Sequence, residues 1–211
     1  MSLLAGCGGS SHKAASANTA TQGSVPQVPP PPGPPPAPPS PAVHAMAGRV
    51  LVASDLPGFA PRDGLEGGTS ARSWMAPSGL PASEQAKEAR KLEALTFVRG
   101  ARERLGPTSG GQSEALSIVM QFRSPRGALA NVSDEVRGEE AHGAKGFAVP
   151  RIPGARGFGG VNGANTGYNV AFADGTYYYL VGAGYPTGSP GAPTQQDLIV
   201  AAQHLYARVH H

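Results

Sequence analysis

Aromatic side chains are few in this chain, and most of them gather late. Tyr168, Phe172, Tyr177, Tyr178, Tyr179 and Tyr185 fall around one stretch, with Phe147 and Phe158 close by. Alternate residues of an extended strand share a face, so Tyr177 and Tyr179 point one way and Tyr178 the other. A tyrosine buries a large apolar body while its hydroxyl looks for a partner. Tyr168, Phe172, Tyr177 and Tyr179 are therefore the candidate lining of a small apolar or amphipathic pocket between a sheet and a glycine-rich loop. Ordinary strand packing under a helix is the plain alternative. The other reactive group is the sulfur of Cys7, the single cysteine, which excludes an intramolecular disulfide and a cysteine-based zinc cluster.

Catalytic signatures are missing from the residues that remain. His12, His44, His142, His204, His210 and His211 form no HExxH or other zinc spacing, so no metal site is expected. There is no GxSxG and no SxxK in a strand-to-helix setting. The stretch Gly154-Ala155-Arg156-Gly157-Phe158-Gly159-Gly160-Val161-Asn162-Gly163 breaks the dinucleotide fingerprint at Asn162, and no helix follows to aim its dipole at a phosphate. A GK[ST] loop is also missing. The glycines are expected to form a mobile loop between strands, and neither a cofactor nor a catalytic residue is expected. Asn131-Val132-Ser133 matches a glycosylation acceptor but falls in a predicted helix.

The chain has 211 residues and a hydrophobic fraction of 39%, enough for one ordinary domain with extensions. No run approaches the roughly 20 apolar residues of a membrane-spanning helix. Seventeen basic residues, 13 of them Arg and four Lys, meet 14 acidic ones for a net charge of +3. Arg99, Arg102, Arg104, Arg123 and Arg126 are interrupted by Glu103 and spread over two segments. That reads as a solvated face and not as the dense basic stripe of a nucleic-acid binder, so no nucleic-acid partner is expected.

The amino terminus carries a different signal. Leu4-Ala5-Gly6-Cys7 resembles the bacterial lipobox, an apolar residue and two small ones before a cysteine that becomes lipidated. The resemblance implies cleavage before Cys7, a diacylglyceryl thioether on its sulfur, and acylation of the new amino group with chains such as palmitate. More than one chain makes anchoring stable where one is marginal. Residues 1–6 are then the remnant of a signal peptide. Residues 7–45 read as a lipidated, disordered, Pro-rich linker: 11 of the 22 prolines lie in residues 26–41. Proline disfavours helix in the residue before it, so this tract is expected to be polyproline II, a spacer of roughly 50 Å. Its PxxP matches also suit an SH3-like or WW-like docking module.

Residues 46–211 read as a single domain. Arg49–Ala53 is β-prone. A helix capped by Ser83 runs from Glu84 to Leu95, with Ala86, Ala89, Leu92 and Leu95 on one face. Phe97–Leu105 and Glu114–Arg123 read as paired strands, the second alternating so cleanly that one face is expected buried and the other closer to solvent. Ser124-Pro125 opens a helix whose buried side is Ala128, Leu129, Val132 and Val136. Phe147–Pro150 begins a strand, and Asp174-Gly175 joins Tyr168–Ala173 to Thr176–Gly182 as a hairpin. Thr194 caps a last helix burying Leu198, Ala201, Ala202, Leu205 and Val209. Hairpins dominate, so the expected class is α+β: an antiparallel sheet of about five to six strands with two to three packed helices.

Together these features resemble actinobacterial cell-envelope lipoproteins. Asp55-Leu56-Pro57-Gly58-Phe59 and the order of elements are loosely similar to extracytoplasmic sensor domains and PsbP/Mog1-like lipoproteins. The resemblance implies a non-catalytic binding, sensor-like or structural module, lipid-anchored at the outer face of the membrane. Expected partners are the membrane itself and cell-wall components or a small apolar ligand. The alternatives are an envelope hydrolase without a known motif and an intracellular adaptor acting through the Pro-rich tract.

Overall fold

The computed structural model describes residues 39–210. Cys7, its motif and most of the Pro-rich tract lie outside the described residues. The strongest strand signal in the sequence, Glu114–Phe122 (β4), sits inside an eight-stranded antiparallel sheet. Its neighbours are β3 (Phe97–Pro107) and β8 (Tyr177–Pro186). Beyond β8 come β7 (Asn165–Asp174), β6 (Arg156–Asn162) and β5 (Lys145–Phe147). On the outer side of β3 two short strands, β1 (Phe59–Pro61) and β2 (Glu66–Gly68), share its edge. The α+β class holds, with eight strands in place of five or six.

Both faces of the sheet are covered. Ile118, Met120, Phe122, Phe158, Tyr178 and Leu180 pack under α2 (Ala71–Met75), α3 (Ala82–Ala94) and α4 (Pro125–Ala141). Val119, Val170, Phe172, Tyr179 and Val181 pack under α5 (Gln195–Val209) and the segment that includes α1 (Pro41–His44). The second face of β4 was expected nearer to solvent. Instead Ser117 and Val119 are fully enclosed, because residues 43–59 lie over them. Burial begins at Val43, three residues before the expected domain start at residue 46.

Local signals placed several helices well. The Ser124 hydroxyl accepts from Gly127 N–H at 3.2 Å to start α4. Gly127 is required there, since a Cβ would collide with the Leu95 carbonyl oxygen. Thr194 and Asp197 form a reciprocal capping box at α5, and all five expected α5 positions are buried. The first turn of α3 departs from expectation: Pro81, not Ser83, occupies the cap position and makes no side-chain cap bond. Leu129 faces out at 54% exposure.

Three expectations about backbone need correction. Arg49–Ala53 is not a strand; a 3₁₀ turn at Ala47–Arg49 leads into irregular chain. Leu51 N–H bonds to the Ser117 hydroxyl at 2.9 Å, so a buried side chain replaces a ladder partner. The glycine-rich stretch is not a loop but largely β6, whose glycines allow close approach. A Cβ at Gly157 would collide with the Phe147 ring, and one at Gly159 with the Gly167 carbonyl oxygen. In the last hairpin Asp174 stays in register opposite Tyr177, so the connection is Gly175-Thr176, one residue later than expected. Only Gly175 takes positive φ there (55°), and the shift leaves Phe172 opposite Tyr179.

Candidate functional site

The β7–β8 pairing puts Tyr168, Phe172, Tyr177 and Tyr179 on one face of the sheet, the α5 side. Phe172 and Tyr179 are cross-strand partners whose rings stack at 4.8 Å between centroids. Both are fully buried, so together they fill the space beneath α5. Tyr206 of α5 meets Phe172 edge-on at 5.8 Å and stacks on His210 at 4.7 Å. His210 Nδ1 lies 2.9 Å from an Asp174 carboxylate oxygen. Tyr177 is half-buried and tilts toward Tyr179 at 6.3 Å. Tyr168 stands at the far end of the same row, edge-on to Phe147 at 6.2 Å. The structure thus joins Phe172, Tyr177 and Tyr179 in one cluster and leaves Tyr168 with Phe147.

Arg49 closes that cluster. Its guanidinium lies 4.0 Å from the centre of the Tyr177 ring and donates to the Tyr179 hydroxyl at 2.6 Å. A cation over an aromatic face is attracted by the ring quadrupole. Burial pushes the Tyr179 hydroxyl up to about 12, with Arg49 pulling the other way. Such a hydroxyl keeps its proton at neutral pH and stays able both to donate and to accept a hydrogen bond. A second clamp lies nearby. Arg208 donates to Asp55 at 2.8 Å and to the Val50 carbonyl at 2.7 Å, and Asp55 also accepts from Val52 N–H at 2.9 Å. Residues 49–55 are therefore fastened to both α5 and the sheet.

Two surface clefts lie elsewhere. One of about 340 Å³ separates α2 from α3, with Met75 and Ala89 at its base and Arg72, Arg90 and Glu93 at its rim. The other, about 420 Å³, runs along the β1–β3 edge past Pro61, Arg62 and Pro107. Neither is lined by the four aromatic candidates. Among the described residues no three His, Cys, Asp or Glu side chains are grouped to hold a metal ion.

Sequence reasoning passed over one set of polar groups under α4. Glu139 is 3% exposed and Tyr178 1% exposed, and the Tyr178 hydroxyl has no hydrogen-bond partner. Burial, and after it the charges of Glu135 and Glu139, raises the Tyr178 hydroxyl far above its ordinary value. Burial likewise raises the carboxyl of Glu139 and pushes Glu135 up to about 7, with Glu139 and Glu88 adding to the shift. The available signal was helical phase: from Ala128 and Val132, the core-facing positions continue to 135 and 139 as readily as to Val136.

Fold and site together define an antiparallel α+β domain whose sheet is covered on both faces. The solved structure of the extracellular domain of PknH from Mycobacterium tuberculosis has a similar fold, with a TM-score of 0.52 at 10% identity, covering 79% of this chain and 95% of that one. A protein of Mycobacterium smegmatis described as the Rv0999 ortholog aligns with a TM-score of 0.38 at 17% identity, over 72% of this chain and 90% of that one. No protein-family model and no curated protein sequence matches the chain.

Proposed function

We propose that this chain is a lipid-anchored, extracytoplasmic binding module of the cell envelope, sensor-like and non-catalytic, held at the outer face of the membrane through Cys7. The observation that carries the reading is the likeness of its fold to an extracellular domain over nearly the whole of that domain. The lipobox resemblance of Leu4-Ala5-Gly6-Cys7 and the Pro-rich spacer behind it add an anchor and a stalk. The clamps of Arg49 and Arg208 fit the same reading, since they fasten the tether-proximal segment to the core. A domain displayed on a stalk needs a firm attachment where the stalk ends.

Expressing the chain behind an added export signal in an actinobacterial host and fractionating the cells tests the anchor. The wild type is expected in the membrane fraction, with a mass increase at Cys7 matching acyl chains. Cys7→Ala is expected to release it. Membrane retention of the variant, or an unmodified thiol in the wild type, would overturn the proposal.

A further inference from the structure

The cleft of about 340 Å³ between α2 and α3 is amphipathic. Buried Met75 and Ala89 form its floor. Ala86 shares the apolar face of α3 with Ala89, yet it stays exposed on the cleft wall. Arg72 of α2 and Arg90 and Glu93 of α3 stand at the rim. None of the three forms an ion pair with any described residue, so the rim carries one uncompensated positive charge. The walls are fixed in place. Trp74, next to Met75, lies against Gly100, where a Cβ would meet its ring at 2.9 Å. The Arg102 guanidinium sits 5.5 Å from the same ring and donates to the Pro77 carbonyl at 3.2 Å. Gln85 Nε2 donates to the Leu80 carbonyl at 2.7 Å. Both bonds hold the turn that joins α2 to α3.

A preformed gap of this size suits a small molecule. Among the described residues no aromatic ring lines it, so it offers no stacking platform to a planar base. The soft, adaptable Met75 side chain suits an alkyl chain instead. We propose that the α2–α3 cleft binds a singly charged amphiphile, a carboxylate carrying an alkyl tail. Arg72 and Arg90 hold the carboxylate through charge-assisted N–H donors, while Met75, Ala86 and Ala89 line the tail. Glu93 repels a second negative charge, which disfavours a dianionic phosphate head. The inference gives the binding module a ligand class and rests on that reading for its biological sense. It fails separately, because anchoring is read by fractionation and carboxylate binding by titration of purified protein.

The test is isothermal titration of the full chain at neutral pH with sodium octanoate below its micelle range. Sodium acetate, octylammonium chloride and octyl phosphate serve as comparisons. Saturable octanoate binding is expected, at least about tenfold weaker in Arg72→Gln/Arg90→Gln. Acetate, which has no tail to bury, is expected to bind at least about tenfold more weakly, and octylammonium, of the wrong sign, likewise. Ala86→Leu fills the cleft with a good helix former and is expected to weaken octanoate binding by about tenfold. All three substituted positions are exposed, so these chains are expected to fold, and the comparison of ligands on the wild type needs no variant. No saturable octanoate binding to folded wild-type chain, equal binding by the folded variants, or binding of acetate, octylammonium or octyl phosphate as tight as that of octanoate would overturn the proposal.

Discussion

Arg49 donates a 2.6 Å hydrogen bond to the hydroxyl of Tyr179, 130 residues further along the chain. The bond ties the segment before β1 to the central strands, and the same guanidinium covers the Tyr177 ring. A hydrogen bond to a charged group contributes about 1.5–3 kcal/mol, and the ring contact about 0.5–1 kcal/mol. Arg49→Ala is therefore expected to cost roughly 2–3 kcal/mol in urea unfolding. Tyr179→Phe, which keeps the Tyr177 contact, is expected to cost less. Equal stability of both variants and the wild type would show that the clamp holds nothing.

Ser117 is the mid-sheet hydroxyl that receives Leu51 N–H in place of a strand partner. Ser117→Ala leaves that amide buried without an acceptor, a loss of about 1–3 kcal/mol. Hydrogen exchange at Leu51 is the sharper measurement: protection there is expected to fall while that of β7 amides holds.

Gly127 has no room for a methyl group, with the Leu95 carbonyl oxygen on one side and Phe122 on the other. Gly127→Ala is expected to shift α4 at its first turn and to cost about 1–3 kcal/mol. Gly143, whose Cβ would meet nothing but whose φ is 92°, isolates backbone strain from crowding for comparison.

Stability should depend on pH through α4. Burial, then Glu139 and Glu88, raises Glu135 from 4.5 to about 7, with Lys91 opposing, and Glu139 is raised in the same direction. Below pH 4.5 the group is protonated folded and unfolded alike. Between pH 4.5 and about 7 the folded chain holds a proton that the unfolded chain has released. Stability from this site therefore falls as pH rises through that window and levels off above it. Urea unfolding across the range is expected to show the decline in the wild type and a flatter profile in Glu135→Gln.

A binding module should not turn over substrate. Purified protein screened against ester, glycan and peptide substrates is expected to show no activity that a single point substitution removes. Such an activity would favour an envelope hydrolase. Capture of an SH3-like partner that is lost on deleting residues 26–41 would instead favour an adaptor.

Periodicity made much of this domain legible. The alternation of β4, the Ser124-Pro125 start of α4 and the α5 stripe ending at Val209 are each set by residues within a few positions of one another. Their geometry follows from side-chain direction alone. The same rule put Tyr177 and Tyr179 on one face of their strand and Tyr178 on the other, as the two core clusters have them. The glycines of β6 were read as a loop because their role, letting Phe147 and the β7 backbone approach, is a property of neighbours and not of the segment.

The sequence by itself determined the α+β class and the order of elements from α3 to α4 and from β7 to α5. Tertiary structure decided that Phe172 and Tyr179 fill the core with each other's rings, that Arg49 covers Tyr177, and that Glu139 and Tyr178 are buried. The division has a simple cause. Hydrophobic period and capping act over a few residues, whereas a side chain's partner across 40 to 130 positions is set by strand register and helix rotation, which only the packed whole fixes.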